Sequence, residues 1–289
     1  MIVLNQSRLQ HYLDCRRKYY WKFVENLEPS RPAWKLEIGK AVHHGLALIH
    51  SGSTTDSAVD SSISSLRTAT IDRMMPEEQS ELEKAEEIVR TLLPSYVAHW
   101  KVRGGLWVPL GIEAAGTVEI GEGTDVFLRF RIDNLVAWER MVWLVDYKTM
   151  AKLDPRELLK YEMDLQVTAY TYAASKVLKT RVAGMIVDAL VKTKIPQFER
   201  ETFVRTDEEL DEFVRDFVLY AREIESAGSA VEHFPKNPKE CFRYGTCPYR
   251  ELCLRDTEVR RAIYDRRRPD YVDDERLLPT GEADHITRP

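Results

Sequence analysis

Two apolar–polar alternations separated by a short break constrain this chain more than anything else in it. In the first, Leu128, Phe130, Ile132 and Val136 alternate with Arg129, Arg131 and Asp133. In the second, Met141, Trp143, Val145 and Tyr147 alternate with Asp146 and Lys148. Side chains at i and i+2 of a strand share a face, so Asp146 and Lys148 emerge side by side. A hairpin between the two strands brings Asp133 to them from next door. Two carboxylates and one ammonium converging on a sheet suit a hard divalent cation and an activated water.

The flanking sequence predicts the frame around that hairpin. Asn5 to Val24 reads as one helix, with Ser7 and Gln10 as its capping box and Cys15 mid-helix. Glu28 to Pro32 reads as a loop, and Glu37 to His50 as a helix carrying His43 and His44, stopped by Gly52-Ser53. Thr54 to Met75 has a weak apolar spacing (Val59, Ile63, Leu66) that predicts a surface helix, and Glu77 to Trp100 a clearer one with Pro76 in its first turn. Val108 to Ile120 predicts a strand containing Glu113, which fits a cleft lining and an edge-strand surface equally. Asp154 to Leu178 reads as a single helix that sets Gln166 and Tyr170 on one face, one turn apart. Two more strands (Ala183–Lys192, Phe198–Arg205) and an amphipathic helix (Asp207–Ser226) follow. A cysteine-bearing loop and a charged tail close the chain, the tail's last part from about Pro269 having the composition of a disordered segment.

Length and composition bound the rest. A chain of 289 residues with net charge −5 is large enough for one generous domain or two small ones, and its acidity argues against indiscriminate coating of nucleic acid. Local basic clusters such as Arg16, Arg17, Lys18 and Lys22 still offer phosphate contacts. Tyr12, Tyr19, Tyr20, Trp21 and Phe23 interleave with them, as helix core or as stacking platforms for unpaired bases. No run reaches membrane-span length and the N-terminus lacks a signal-peptide pattern, so the expected location is the cytoplasm, or the host cytoplasm for a phage-encoded chain. Four cysteines in a reducing compartment suggest metal ligation more than disulfides. Cys241, Cys247 and Cys253 are each separated by five residues, whereas zinc ligand pairs are usually two to four apart. Buried free thiols remain the plain alternative.

Taken in order, these motifs resemble the PD-(D/E)XK nuclease superfamily, and more narrowly its RecB-type branch, which includes the AddB nuclease domain and iron–sulfur exonucleases of CRISPR adaptation. The resemblance runs from about Ser7 to Cys253. Its Gly-x-x-x-His is Gly39 to His43, its Ile-Asp pair is Ile132-Asp133, its Asp-x-Lys-Thr is Asp146 to Thr149, and its Gln-x-x-x-Tyr is Gln166 to Tyr170. Phe130 stands where the family often has glycine. Each motif alone also fits a solvated strand face or a satisfied helix histidine; their joint order carries the likeness.

The resemblance implies an α/β (strictly α+β) fold, a central mixed sheet flanked by helices. It implies one nuclease domain over residues 1–256, with a helical insertion at about 54–100 and a charged tail at 257–289. Asp133, Asp146, the Tyr147 carbonyl and His43 become ligands to Mn²⁺ or Mg²⁺. Lys148 orients or deprotonates the attacking water, and Gln166 and Tyr170 hold the lysine, the scissile phosphate or the adjacent strand. Cys15 with Cys241, Cys247 and Cys253 becomes the ligand set of a [4Fe–4S] cluster, with Zn²⁺ as the alternative. The implied activity is metal-dependent exonucleolytic hydrolysis of single-stranded DNA ends in recombination, repair, CRISPR adaptation or phage DNA metabolism. The alternatives are a structure-specific endonuclease and a non-catalytic DNA-binding scaffold. No Gly-x-x-x-x-Gly-Lys-Ser/Thr run is present, so unwinding is expected from a helicase or other recombination or CRISPR partner.

Overall fold

The computed structural model describes residues 1–243 and 245–266. Its elements run β1 (Ile2–Asn5), α1 (Gln6–Asp14), α2 (Arg16–Tyr19), β2 (Leu27–Pro29), α3 (Trp34–His50), α4 (Thr55–Thr70), α5 (Gln79–Val102), β3 (Pro109–Glu119), β4 (Val126–Trp138) and β5 (Met141–Met150). Then come α6 (Pro155–Leu159), α7 (Leu165–Leu178), β6 (Gly184–Val191), β7 (Gln197–Phe203), α8 (Asp207–Ala227), α9 (Arg250–Leu254), α10 (Glu258–Arg261) and β8 (Tyr264–Arg266). The chain divides into two compact units, one of Met1–Arg31, Gly116–Phe130 and the described residues from Asp207 on, the other of Pro32–Ala115 and Arg131–Thr206.

The second unit is built on a mixed sheet with helices against it, as the strand and helix patterns predict. β4 and β5 pair antiparallel from Asn134↔Val145 to Trp138↔Met141. Glu139 and Arg140 turn the hairpin at φ 51° and 63°, the left-handed pair that matches strand twist in a two-residue turn. β5 pairs parallel with β6, and β6 antiparallel with β7. Every residue of β6 is buried, as befits a strand covered on both faces. Gly184 sits at φ 157°, where an added Cβ would lie 2.2 Å from the Phe203 carbonyl oxygen. Ile38, Val42 and Leu46 of α3 pack with Val89 and Leu93 of α5 on Val136, Val145 and Tyr147. α4 is more than the expected surface helix: Val59, Ile63 and Leu66 enter that same core and Ser62 is buried with them, while Ser57, Ser64 and Ser65 face out.

His50, at the end of α3, stacks on Tyr147 with ring centroids 5.9 Å apart. Burial, with help from the Arg200 charge, pushes its pKa down to about 4, against a hydrogen bond with the Trp107 backbone that raises it. The unfolded chain takes up that proton near pH 6.5, whereas the folded chain resists it to about 4. Stability from this group is therefore present above pH 6.5 and lost as pH falls to 4, at up to ~1.4 kcal/mol per pH unit. His50→Phe keeps the stacking and removes the titration. In urea unfolding at pH 7 and pH 4, the variant should lose about 3 kcal/mol less than the parent between the two; equal losses would refute this.

In the first unit, β1 pairs parallel with the start of β4, Ile2↔Val126 to Asn5↔Arg129. The expected single helix over Asn5–Val24 is broken. Asn5, not Ser7, is the cap, its Oδ1 accepting from Arg8 N at 2.8 Å. Cys15 is extended (φ −159°, ψ 110°) between α1 and α2, and its sulfur accepts a hydrogen bond from the Asn237 backbone at 3.4 Å. A wide π-type turn, Tyr20–Val24, follows α2. The expected loop at Glu28 contains β2, which pairs with β8, so the start of the expected tail is ordered into α10 and β8; the stretch from 267 lies outside the described residues. Phe130, the departure from the family glycine, has a counterpart in Gly116, where an added Cβ would come within 2.8 Å of its ring. Among the described residues no helix is long and apolar enough to cross a membrane.

Candidate active site

The β4–β5 hairpin sets the site within the second unit. One step beyond the Asn134↔Val145 pair, the antiparallel register carries Asp133 toward Asp146. Asp133 Oδ2 accepts the Tyr147 backbone N–H at 3.0 Å and lies 3.1 Å from His43 Nδ1. Gln166, in the first turn of α7, bridges the other two groups. Its Nε2 donates to Asp146 Oδ1 at 2.8 Å, and its Oε1 accepts from Lys148 Nζ at 2.9 Å. Lys148 Nζ is also 2.7 Å from Asp146 Oδ2. This oxygen is buried, and the Lys148 ion pair is the contact it makes.

The electrostatics follow from burial and from these contacts. Burial works against the His43 imidazolium, but the hydrogen bond and charge of Asp133 outweigh it and raise the pKa. Burial works against the Asp133 carboxylate too, yet His43 and the Tyr147 N–H hold it below the usual range. Asp146 goes the other way: burial, helped by the Asp133 charge, raises it despite Lys148. Burial disfavours the Lys148 ammonium, and Asp146 with Tyr161 and Asp133 more than restores it, so its pKa is raised. A lysine so held stays cationic.

Tyr170 is half-buried beside the same charges; burial first, then Asp146 and Asp133, pushes its hydroxyl up to about 12. The Tyr147 side chain turns to the opposite face of the sheet, its hydroxyl accepting from Asn134 Nδ2 at 3.2 Å, so only its backbone is at the site. His44 points elsewhere, 2.9 Å from Ser61 Oγ. Glu113 lies at φ 49°, a conformation rare for a non-glycine in a strand, with Oε2 3.4 Å from Arg131 Nε.

Two residues join the site without having been singled out in the sequence. The expected helix from Asp154 to Leu178 breaks into α6, a tight turn and α7, because Asp164 is extended and caps α7, its Oδ1 accepting from Gln166 N at 2.7 Å. That cap fixes the start of the helix carrying Gln166. Tyr161, buried in the intervening turn, feels Lys148 and Asp146; burial leads in pushing its pKa up to about 12. An aspartate one residue before Leu-Gln-Val was a legible N-cap signal.

Two carboxylates, an imidazole and a buried carboxylate oxygen lacking a hydrogen bond fit a divalent ion by donor chemistry. Among the described residues no three His, Cys, Asp or Glu side chains already stand as ligands around one point. His43 turned onto Asp133 and Lys148 turned onto Asp146 account for that, since cationic groups occupy the faces of both carboxylates.

The four cysteines all lie in the first unit and line one cavity of about 310 Å³, with Lys18, Asn237 and Arg250. None of the four is joined in a disulfide. Cys253 Sγ accepts from Trp21 Nε1 at 3.4 Å, and Cys247 N–H donates to the Cys241 carbonyl at 2.8 Å. Burial raises the Cys247 and Cys253 thiols. The nearby basic–aromatic run does not form a stacking surface, because Tyr12, Tyr19, Tyr20 and Trp21 are buried. Arg17 donates to the Phe234 and Val231 carbonyls, and Arg16 pairs with Glu223 at 2.8 Å.

A family model described as the PD-(D/E)XK nuclease superfamily matches residues 3–254. Among solved structures, a provisionally assigned exonuclease from Eubacterium rectale is 15% identical, covering 77% of this chain and 81% of its own at a TM-score of 0.49. The protein named SSO0001 is 13% identical, covering 63% and 80% at 0.33. Likenesses this loose bear on neither activity nor substrate. No curated protein matches the chain.

Proposed function

Because the chain belongs to the PD-(D/E)XK nuclease superfamily, we propose that it is a divalent-metal-dependent deoxyribonuclease that trims single-stranded DNA ends, on the RecB-type branch. The observation that carries this reading is the Gln166 amide tying Asp146 to Lys148, with Asp133 and His43 joined beside them.

Asp133, Asp146 and His43, with the Tyr147 peptide, are the groups that would hold the ion. When bound, Mn²⁺ or Mg²⁺ polarises the phosphoryl oxygen and acidifies a water; imidazole in the donor set favours manganese. Lys148 supplies a fixed positive charge at Nζ for the oxyanion that develops as water attacks phosphorus. Gln166 keeps that ammonium aimed, and Asp164 keeps Gln166 aimed. One P–O bond forms and one breaks, leaving a phosphomonoester and a hydroxyl.

For the first unit the proposal is a [4Fe–4S] cluster on Cys15, Cys241, Cys247 and Cys253. What supports this reading is one cavity lined by all four cysteines, the ligand number a [4Fe–4S] cluster takes; Zn²⁺ is the alternative. The settings proposed remain recombination, repair, CRISPR adaptation or phage DNA metabolism, with unwinding left to a partner.

The test is to purify the chain without oxygen, assay its iron and zinc, and incubate it with end-labelled linear and circular single-stranded DNA in Mn²⁺ and in Mg²⁺. Expected are brown protein with about four irons per chain and loss of linear DNA only, at least as fast in Mn²⁺. Cut circles would make it an endonuclease, and intact DNA in both metals would leave a scaffold. Stoichiometric zinc without iron would remove the cluster.

A further inference from the structure

A patch beside the site, which the nuclease chemistry itself does not use, combines unpaired positive charge with exposed apolar side chains. It lies in the β6–β7 turn, Lys192-Thr193-Lys194-Ile195-Pro196, and the first turn of α3. Lys192 N–H donates to the Met150 carbonyl at 2.9 Å, so the turn begins at the end of β5, two residues, or about 7 Å of strand, past Lys148. From the other side, α3 passes over the same strand: a Cβ on Gly39 would sit 3.5 Å from Thr149 Oγ1. His43 is one helical turn after Gly39 and Lys35 about one turn before it, so Lys35 is about 12 Å along the helix from His43.

Lys35, Lys192 and Lys194 form no ion pair among the described residues, although the chain holds 47 acidic residues to 42 basic ones. Lys192 is half-buried, and burial followed by the charge of Lys35 lowers its pKa. Placing two ammonium groups together without a carboxylate costs free energy unless an anion joins them. Lys192, Thr193 and Lys194 line a recess of about 240 Å³ with Thr91 and Leu92, where Glu87 is the one acidic lining residue and its carboxylate accepts from Thr91 Oγ1. Beside the lysines, Ile195 is 80% exposed and Leu36 56%. Backbone phosphates suit the lysines, and the two aliphatic side chains have use against unpaired bases, which duplex DNA keeps stacked inside.

We propose that Lys35, Lys192 and Lys194, with Leu36 and Ile195, grip a single DNA strand a few nucleotides from the scissile phosphate. This rests on the nuclease reading and adds to it the route of the substrate. Lysines that neutralise phosphates release counterions on binding, so affinity falls with salt by a slope of about 0.7 per contact on a single strand.

The test uses the full chain and a fluorescein-labelled single-stranded oligonucleotide, with anisotropy read in Ca²⁺ across a salt series and steady-state cleavage read in Mn²⁺. For Lys35→Ala with Lys192→Ala, binding should weaken about tenfold and the salt slope fall by about 1.4. KM should rise in step while kcat stays within about twofold, and Lys35→Arg with Lys192→Arg should restore the slope. Lys84→Ala, at a lysine paired to Glu81, should change none of these. An unchanged slope and KM in the alanine pair, in a parent that binds and cuts, overturns the strand route alone. A parent that neither binds nor cuts DNA overturns the route and the nuclease reading together.

Discussion

Asp146→Asn is expected to lower the rate of DNA cleavage by about 10³-fold while leaving the protein as stable as the parent or slightly more stable. The first half follows from the site. Asp146 faces Gln166 through one oxygen and Lys148 through the other, and its Oδ2 is the buried atom without a hydrogen bond. Asparagine keeps the shape but loses the anionic ligand and the partner of Lys148. Losing one such preorganised electrostatic contact typically costs 10²–10³, or ~3–4 kcal/mol of barrier.

The second half follows from the sign of the shift. Burial raises the Asp146 carboxyl above its ordinary value, so the folded state binds this proton more tightly than the unfolded chain does. Ionisation at neutral pH therefore works against folding, and that penalty disappears as pH falls. A neutral isostere removes the penalty at neutral pH, although it weakens the tie to Lys148. Single-turnover cleavage in Mn²⁺ and a thermal melt of the same preparation measure both. A variant cutting within tenfold of the parent would remove Asp146 from the chemistry. A melt lowered by many degrees would mean that Asp146 is a structural residue whose loss of activity says nothing about catalysis.

The core of this site was legible because its residues repeat at short periods. Asp146 and Lys148 are two apart on a strand, Gln166 and Tyr170 four apart on a helix, and both rules hold whatever the rest of the chain does. What escaped the sequence depends on distant partners or on a single residue outvoting its neighbours. Cys15 leaves helical geometry where its sulfur meets the backbone of Asn237, a residue 222 positions away. β2 is too short to announce itself and exists because β8 pairs with it. Asp164 interrupts a run whose apolar spacing reads as one helix, because a side chain that caps N–H groups competes with continuing the helix. The left-handed conformation of Glu113 in β3 leaves no mark in composition. The basic–aromatic start of the chain misleads for a related reason: a pattern of Arg and Tyr does not say whether the rings face water or a core of Phe234 and Tyr249.

Arg200→Ala should destabilise the fold by about 3–5 kcal/mol, more than any exposed charge could account for. The guanidinium lies 3.5 Å from the Trp100 ring centroid and 3.9 Å from that of Trp107. Its Nε donates to Asp188 Oδ2 at 2.8 Å, Nη1 to the Gly105 carbonyl at 2.6 Å and Nη2 to Tyr96 Oη at 3.1 Å. Tyr96 Oη donates to the same Asp188 oxygen at 2.8 Å. Asp188 is fully buried and its Oδ1 has no partner. Removing Arg200 strands a buried carboxylate, the costly half of breaking such a pair.

Burial already raises the Asp188 carboxyl, with Arg200 the largest opposing influence. Without that influence it rises further, so the variant recovers by taking up a proton. Its deficit should be smaller at pH 5 than at pH 8, since a raised carboxyl contributes stability that is lost as pH climbs through its folded pKa. Asp188→Asn combined with Arg200→Met, which removes both charges, should regain most of the loss. Asp188 stands directly across from Tyr147 in the β5–β6 pairing, between Asp146 and Lys148 in sequence, so the network braces the strand that carries the chemistry. Urea unfolding of the three variants at the two pH values decides the matter. A deficit for Arg200→Ala that stays constant with pH, or a double variant no better than the single one, would show that packing against the two tryptophans, and not the charge on Asp188, is what Arg200 supplies.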